Sequence, residues 1–382
     1  MLKPLPRYFP VPDRNPVAEV HFSIRAVGRY AWNACFCGQV EDYDCLLAIE
    51  EADISGFEWR YITIVEDGRV SAAMPVFLCP YALDTTLEDG RLRKAVRRIR
   101  QRFSGFLTLR LACLGSPCTE TGAVGFHPDV PPERRAVLFA ELLSFFEELA
   151  ATEECSLMGI KDIPAPVTAE FGGLLSGRGY ASIGGLPTAW LDMDFKTIDE
   201  YLARLSSGTR KDMRRKLKSF EQVRVEMRTD FGDFLPEVMA LYHDTRNRSE
   251  WQFEELTPAY FESILARMRG RSFCAFYFVE DRLLAANLIV HDENIAIDKF
   301  FCMDGEAGRP YNLYFLSWFT NLRYCLDHGI GRYQSGQAYY ENKVRLGSQL
   351  TANTMFFRHR NPVLQKILRL VSPLLSTDEA EQ

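Results

Sequence analysis

The stretch that decides the fold is residues 273–347, which read FCAFYFVEDRLLAANLIVHDENIAIDKFFCMDGEAGRPYNLYFLSWFTNLRYCLDHGIGRYQSGQAYYENKVRLG. Three runs in it have the length of a strand and are rich in aromatic and branched side chains: residues 273–279, 283–291 and 295–302. Charged and polar turn residues separate the three runs, at 280–282 and 292–294. Turn residues between such apolar runs predict consecutive β-hairpins.

A helix and a further strand are predicted after these hairpins. Pro310 stands where a first helical residue would be, and apolar residues recur at helical spacing from residue 311 to residue 326. Gly329 and Gly331 end that helix, and residues 332–335 are short enough for a buried strand. The polar run QSGQAYYENK then occupies residues 334–343.

The same order of elements is predicted once before, in the first half of the chain. A hairpin, a strand, a glycine-containing loop, a helix and a strand are expected at residues 59–78, 106–114, 115–122, 132–151 and 156–163. The turn Val65-Glu66-Asp67-Gly68-Arg69, followed by Ala72-Ala73, also matches Val279-Glu280-Asp281-Arg282, followed by Ala285-Ala286, once one glycine is dropped. We interpret the two segments as a duplication, which predicts two related domains of the α/β (α+β) class.

The chain length also favours two domains. At 382 residues the chain is divided here into a first domain at 1–190, a second at 191–360 with a helical insertion at 197–270, and a C-terminal helix with an acidic tail at 361–382. Within the insertion, Ser206-Ser207-Gly208-Thr209 offers cap residues for a helix over 210–220.

Composition excludes several functional classes. The formal charge of −6 argues against a DNA-binding protein, and no apolar run approaches membrane-spanning length. Ten cysteines at irregular spacing, with no signal peptide ahead of them, predict a reducing cytoplasm. There is no phosphate-binding loop, no histidine pair at metal spacing and no Gly-x-Ser-x-Gly elbow, so metal-free chemistry is expected.

Three further segments resemble a known family. Residues 205–218, LSSGTRKDMRRKLK, are similar to the helix that opens the second domain of Fem-like acyltransferases, which belong to the GNAT superfamily. His243-Asp244-x-Arg246 with Trp251 resembles the "His-x-x-Arg-Trp" region of that family, and Gly336 to Tyr340 with Lys343 resembles its closing "Gly…Tyr-Lys" element. One departure is that Glu341 and Asn342 stand between the tyrosine and the lysine.

The resemblance implies two tandem GNAT-like domains, each with a mixed, mostly antiparallel sheet flanked by helices. It implies transfer of an acyl group from an activated carrier, acyl-CoA or aminoacyl-tRNA, to an amine on a small molecule, peptide or glycan, without a metal. It also allows tRNA as a partner, while a peripheral membrane contact is suggested by the basic segment 91–102 and not by the resemblance. The loop at 304–309 lacks the Gln/Arg-x-x-Gly-x-Gly pattern of acetyl-CoA-binding relatives, and Glu306 would repel a phosphate, which weakens ordinary acetyl-CoA binding.

Roles for single residues follow from their chemistry and from the resemblance. The candidate catalytic residues are Lys343, which the resemblance implies, and Glu341 and Asp298, two carboxylates that are candidate general bases. The implied substrate-binding residues are Arg210, Arg214, His243, Arg246, Gln337 and Tyr340. The implied cofactor-binding residues are Gly308, Arg309 and Asn312.

Each assignment has a plainer alternative. Lys343 could equally be a solvated lysine, and Asp298, inside an apolar strand, could be a structural carboxylate paired with Lys299 or an arginine. The arginines at 210 and 214 share a helix face that suits a phosphate or carboxylate, but they also fit a surface charge run. The basic segment 91–102 is typical of a solvated amphipathic helix or of one that contacts RNA or anionic lipid. We therefore keep three hypotheses: an acyl-CoA-dependent N-acyltransferase, an aminoacyl-tRNA-dependent ligase acting on a cell-envelope precursor, and a non-catalytic binding protein with this fold.

Overall fold

The computed structural model describes residues 17–82, 108–249 and 253–375. The strands in these ranges are β1 (Val17–His21), β2 (Glu58–Glu66), β3 (Arg69–Ala82), β4 (Thr108–Leu114), β5 (Gly125–Phe126), β6 (Leu157–Pro164), β7 (Ala181–Gly184), β8 (Thr188–Asp192), β9 (Val223–Arg228), β10 (Ser272–Val279), β11 (Arg282–His291), β12 (Ile295–Met303), β13 (Arg332–Gln334), β14 (Gln349–Thr351) and β15 (Asn353–His359). They form two sheets, in the orders β1-β2-β3-β4-β6-β15-β7, with β5 beside β3, and β9-β10-β11-β12-β13-β8-β14.

Helices lie between and around the strands. The α-helices in the described ranges are α1 (Ile24–Val27), α2 (Arg29–Cys35), α3 (Tyr43–Glu51), α4 (Pro132–Thr152), α5 (Ala165–Gly177), α6 (Ile198–Arg204), α7 (Ser207–Leu217), α8 (Leu235–Arg248), α9 (Pro258–Arg267), α10 (Leu313–His328), α11 (Tyr340–Arg345) and α12 (Pro362–Leu375). Of these, no helix is long and apolar enough to cross a membrane. Two mixed sheets flanked by helices confirm the predicted fold class.

The two sheets repeat one unit, as the sequence predicts. In each, four strands (β1–β4 or β9–β12) pair antiparallel in succession, and a helix (α4 or α10) then leads to a strand (β6 or β13) that pairs parallel to the fourth. Both hairpins carry a bulge at the same place, where Ser71 and Leu284 fall out of register. The pairs Ala72-Ala73 and Ala285-Ala286 directly follow these bulges. The short sequence match between residues 65–73 and 279–286 therefore marks equivalent positions in the two sheets.

Each half gives one strand to the sheet of the other half. β8 comes from the first half of the chain and pairs with β13 and β14 in the second sheet. β15 comes from the second half and pairs with β6 and β7 in the first sheet. The domain boundaries predicted at residues 190 and 360 stay predictions, but the sheets do not follow them. The reason is that an alternating strand pattern shows that a strand exists without showing which sheet it joins.

The two halves are also joined through helices α3 and α9. Thr257 Oγ1, at the start of α9, donates a hydrogen bond of 2.6 Å to the carbonyl of Ala52, at the end of α3. The Arg271 guanidinium lies 3.0 Å from the Asp42 carboxylate, which caps the start of α3. One hydrophobic core contains residues from both sheets and from these helices. The halves therefore meet over a packed interface, and the candidate site lies in it.

Most predicted elements are present close to their expected bounds. Helix α7 begins earlier than expected, because Ser206 Oγ accepts a hydrogen bond from the backbone amide of Thr209 and caps it at residue 207. Residues 336–343 of the polar run, for which the sequence predicts no element, contain the start of α11. The predicted basic helix at 91–102, Trp251 and the acidic tail at 377–382 lie outside the described ranges.

Candidate active site where the two halves meet

The site begins where β12 and β13 stop pairing. These parallel strands pair only from Ile295–Arg332 to Ile297–Gln334. β12 continues to Met303, and the chain beyond β13 turns away at Gly336, whose φ is 82°. The register of β12 against β11 also shifts after Asp298, so that Lys299 is a bulge residue. Bulges are common beside active sites because they re-aim side chains.

Asp298 is the first residue of β12 beyond the paired part. Its Oδ2 accepts hydrogen bonds from Tyr333 Oη (2.9 Å), Asn287 Nδ2 (3.1 Å) and Asn321 Nδ2 (3.3 Å). Burial raises the pKa of Asp298 to about 6, although these donors and the charge of Lys343 act in the opposite direction. A carboxylate with a raised pKa that is held by neutral donors is typical of a functional site.

Lys343 is carried by the short helix α11 and is only 4% exposed. Its Nζ donates a hydrogen bond of 2.9 Å to the carbonyl of Gly336. Burial lowers the pKa of this amine to about 8, and the charges of Glu120 and Asp298 oppose the shift. The alternative of a solvated surface lysine does not describe this side chain.

Glu120 completes the group, and the sequence did not single it out. It lies in the first half, in the glycine-containing loop after β4. Gln334 Nε2 donates to its carboxylate, and Gln337 Nε2 donates to its backbone carbonyl at 3.3 Å. Burial raises the pKa of Glu120 to about 7; Glu41 adds to the shift, while Lys299 and Lys343 oppose it.

The side chains of Glu120 and Lys343 and the backbone carbonyl of Asp298 surround Gly336. A Cβ placed on this glycine would lie 3.2 Å from Glu120 Oε1, 3.6 Å from Lys343 Nζ and 3.8 Å from the Asp298 carbonyl. We call Glu120, Asp298 and Lys343 the carboxylate–lysine cluster. Glu120 and Asp298 are residues of intermediate exposure, whereas Lys343 is buried.

Two buried hydroxyls near the cluster lack partners within the described part of the chain. They are Ser335 Oγ, beside Gly336, and Tyr314 Oη, on α10. Burial and the charge of Asp298 raise the pKa of the Tyr314 hydroxyl. Buried polar atoms are rarely left without a hydrogen bond, so unsatisfied donors at a charged cluster indicate a place for a ligand.

The expected partnership of Asp298 with Lys299 is wrong. Lys299 Nζ contacts the Glu41 carboxylate and donates a hydrogen bond of 2.6 Å to the carbonyl of Cys118. Although burial alone would lower its pKa, the charge of Glu41 holds it well above the usual value. Successive strand residues point to opposite faces, so Lys299 is directed to the first half while Asp298 stays beside α10.

Two of the predicted substrate-binding residues adjoin the cluster. Gln337 Nε2 donates to the carbonyl of Leu186 (3.1 Å) as well as to that of Glu120, and Tyr340 Oη donates to the carbonyl of Pro187 (2.9 Å). These hydrogen bonds hold the polar run at 334–343 against the segment between β7 and β8. Glu341 is exposed on α11, and because it is two residues before Lys343 it lies on a different face of the helix.

The structure does not bring Arg210 and Arg214 to the cluster through their own side chains. The Arg210 guanidinium donates to the carbonyls of Ala203 (3.0 Å) and Leu205 (3.5 Å) at the end of α6, and Arg214 is exposed. Helix α7 nevertheless adjoins α11, because Arg345 donates to Asp212 at 2.8 Å. The exposed cations of α7 and the residue after it, Lys211, Arg214, Arg215 and Lys218, therefore lie on a helix next to the one that carries Lys343.

His243 and Arg246 lie on α8, facing the segment before α9. Arg246 Nη1 is 3.5 Å from Glu255 Oε2, and its Nε donates to the carbonyl of Glu254 at 3.4 Å. His243 is exposed and its Nδ1 is 4.0 Å from Glu255. Their predicted substrate-binding role stays a prediction.

The loop expected to face a pyrophosphate is already occupied by carboxylates of the protein. Asp304 Oδ1 accepts hydrogen bonds from the amides of Glu306 (3.0 Å) and Ala307 (2.8 Å), and Asp244 accepts one from the amide of Gly305 (2.8 Å). A groove of about 770 Å³ beside this loop is lined by six carboxylates and one arginine: Glu237, Asp244, Glu280, Asp281, Asp304, Glu306 and Arg282. The surface at this loop disfavours a polyanion.

The three residues expected to bind a cofactor lie at the same loop. Gly308 is buried, and a Cβ on it would lie 2.8 Å from the carbonyl of Asp304, so only glycine fits. Arg309 is exposed, and the left-handed Asn312 (φ 56°) donates a hydrogen bond to Ser219 at 2.9 Å. These contacts organise the start of α10, and cofactor binding by these residues stays a prediction.

Comparison with known proteins agrees with this architecture. The family model described as FemAB-like, peptidoglycan biosynthesis/recognition, matches residues 23–372. The chain belongs to the FemAB-like family. No curated protein matches it in sequence. The FemAB-like chain is similar in structure to FemX, at 16% identity and a TM-score of 0.56 over 85% of this chain and 93% of that one. It is also similar to a tandem GNAT protein from the clavulanic acid biosynthesis pathway, at 13% identity and a TM-score of 0.53 over 91% and 99%. These likenesses confirm the tandem GNAT fold of this FemAB-like protein.

Proposed function

We propose that this FemAB-like protein is an acyltransferase whose active site is the carboxylate–lysine cluster. The observation that carries the proposal is that the side chains of Glu120 and Lys343 converge on Gly336, where β12 and β13 diverge and the two halves meet, and that the charge of Asp298 acts on Lys343. All three groups have pKa values shifted toward neutrality by burial. Titratable groups shifted in this way are suited to proton transfer near pH 7.

Each member has a role in acyl transfer to an amine. Glu120, whose pKa is about 7, takes a proton from the attacking ammonium group. The amine nitrogen then forms a bond to the acyl carbon, the bond from that carbon to the carrier breaks, and the second proton lost by the nitrogen passes to the carrier atom, which leaves as its neutral alcohol or thiol. Lys343 Nζ has N–H groups beyond the one given to Gly336, and these stabilise the oxyanion that develops on the acyl oxygen. Asp298 is a positioning residue, since its charge keeps Lys343 protonated.

We further propose that the carrier is a polynucleotide ester, as in aminoacyl-tRNA, in preference to acyl-CoA. The amides at the loop before α10 are bonded to Asp304 and Asp244, and the groove beside them is acidic. The exposed cations of α7 lie instead beside α11 and offer a surface for phosphates. The acceptor is an amine of a cell-envelope precursor, by analogy with the family description. Ten free thiols, nine of them buried, support a reducing cytoplasm as the place of action.

Single-turnover assays with aminoacyl-tRNA and with acyl-CoA would test both parts. Transfer is expected with the RNA ester, and Lys343→Ala and Glu120→Gln should lower its rate by at least about a hundredfold. The exposed Lys196→Ala is the matched control and should leave the rate unchanged. Transfer from acyl-CoA alone would overturn the choice of carrier but not of site. Full activity in both cluster variants would overturn the site, and binding of either carrier without turnover would favour the non-catalytic alternative.

A further inference from the structure

The C-terminal helix α12 is fixed to the protein by polar contacts. Gln365 is buried: its Nε2 donates to the carbonyl of Gly179 (3.2 Å), and its Oε1 accepts from the amide of His359 (2.7 Å). Arg369 donates to the same carbonyl of Gly179 at 2.7 Å, and Leu368 packs against the small apolar core beside β4. Positions 365, 368 and 369 therefore form the inner face of the helix.

The outer face of α12 is apolar. Val363, Ile367 and Leu370 are 63%, 50% and 78% exposed, and Leu364 is 42% exposed. Spacings of four and three residues place the first three side chains on one stripe of the helix, opposite Gln365. A helix packed on a soluble protein normally has the reverse arrangement, with apolar residues inside and polar residues outside. A continuous apolar stripe facing solvent indicates a surface that is covered in use.

The charged residues of α12 itself are both positive. From residue 342 to residue 377 the sequence contains no aspartate or glutamate, although the whole chain has a net charge of −6. Lys366 is one position from Ile367 and exposed, and Arg360, also exposed, stands at the start of the helix. Neither cation forms an ion pair within the described residues. An apolar stripe flanked by unpaired cations is the composition of a helix that lies in the interface of an anionic membrane.

We propose that α12 docks this protein on the surface of a membrane that contains anionic lipid, with Val363, Ile367 and Leu370 inserted among the acyl chains. The cations near α12 favour an anionic membrane over a second copy of the chain as the partner that covers this face. Two copies joined through α12 would bring together two helices that carry cations and no carboxylate, so like charges would meet without compensation. An anionic lipid surface complements them.

The docking face and the carboxylate–lysine cluster are at opposite ends of β15. The Asn353 end of β15 lies beside Leu186, to which Gln337 also donates, and the His359 end lies beside Gln365. Six strand residues separate these ends by about 20 Å. Changes on α12 are therefore expected to leave the cluster intact, and the docking proposal does not depend on the proposed reaction.

Vesicle flotation tests the proposal directly. The full-length protein should float with vesicles of phosphatidylcholine and phosphatidylglycerol, and much less with vesicles of phosphatidylcholine alone. The double variant Ile367→Glu/Leu370→Glu should bind the anionic vesicles on the order of a hundredfold more weakly, because two apolar side chains are lost from the interface. Lys366→Gln should weaken binding by about fivefold, and only to the anionic vesicles.

The control is Val137→Glu, which changes an exposed apolar residue (45%) on α4. This variant should float like the wild type, and circular dichroism should show all variants folded. Equal flotation of the wild type and the double variant would overturn the proposal, as would no flotation of the wild type. A concentration-dependent dimer in analytical ultracentrifugation that the double variant abolishes, without vesicle binding, would identify a second copy as the occupant instead.

Discussion

Replacing Lys343 by methionine is expected to stabilise the fold while it abolishes transfer. Burial lowers the pKa of this lysine from 10.5 to about 8, against the opposing charges of Glu120 and Asp298. Because the folded-state pKa lies below the unfolded one, the folded state binds the proton less tightly. The charge therefore opposes folding at every pH below about 8, and the penalty is relieved as the pH rises from about 8 to about 10.5. At about 1.4 kcal/mol per pH unit, the penalty at neutral pH is about 3 kcal/mol.

Two losses reduce the gain. Methionine cannot donate to the Gly336 carbonyl, and a hydrogen bond of this kind contributes about 1 kcal/mol. The carboxylates also lose a neighbouring cation, which is usually costly for buried charges. Glu120, however, already has a pKa of about 7 and takes up a proton near neutral pH at almost no cost, while Asp298 keeps its three hydrogen-bond donors. We expect a net gain of about 1–2 kcal/mol in the free energy of unfolding near pH 7.

Guanidinium denaturation of the wild type and of Lys343→Met, at pH values from about 7 to about 10, measures this difference. The variant should be more stable at the lower pH, and the difference should shrink and reverse above about pH 10, where the wild-type lysine is neutral. Lys196→Met, which changes an exposed lysine, is the control and should show no such trend. A variant that is less stable than the wild type at pH 7, by an amount independent of pH, would refute the reasoning.

Three further outcomes are expected. The second-order rate constant for transfer should rise with pH through about 7 as Glu120 loses its proton, and this rise should disappear in Glu120→Gln, as a pH–rate profile will show. In a denaturation assay, Gly308→Ala should lower the free energy of unfolding by about 2 kcal/mol or more, because the added Cβ meets a backbone carbonyl at 2.8 Å. Gly177→Ala is the control and should not destabilise the protein, because its Cβ meets nothing within 4 Å. Glu41→Gln should lower the free energy of unfolding by about 3 kcal/mol, because it leaves the buried Lys299 without its charged partner. Asp129→Asn, which changes an exposed ion pair, should lower it by less than about 1 kcal/mol. Equal losses for the two variants in thermal and chemical denaturation would contradict this contrast.

Local patterns in the sequence predict most of the fold because helix and strand periodicities are set by neighbouring residues. The runs at 273–279, 283–291 and 295–302 alternate or cluster apolar residues at strand length and become β10, β11 and β12. Helix α11 was not predicted. Of its six residues only Lys343 is buried, so no apolar stripe marks the helix in the sequence. Periodicity reports burial on one face, and a helix whose single buried side chain is charged gives no such signal.

The candidate site could be predicted only in part. Asp298 stood out as a carboxylate in an apolar strand, and Lys343 through the family resemblance. Glu120 could not be found in this way, because it reaches Gln334 across 214 residues of sequence and no local pattern reports a contact between the two halves. The one available signal was the first-half loop with two glycines and polar residues between them, at 115–122.

The exchange of β8 and β15 makes the duplicated protein one inseparable unit. A fragment that stops before β15 would leave β6 and β7 of the first sheet without the strand between them, and a fragment that starts after β8 would leave the same gap between β13 and β14. If the chain is divided once, after β8 and before β15, neither fragment should be monomeric and folded by itself. The two fragments expressed together should assemble, because each supplies the strand that the other lacks. After such a duplication, either copy is free to lose its own chemistry but not its backbone, because each copy's sheet is completed by the other.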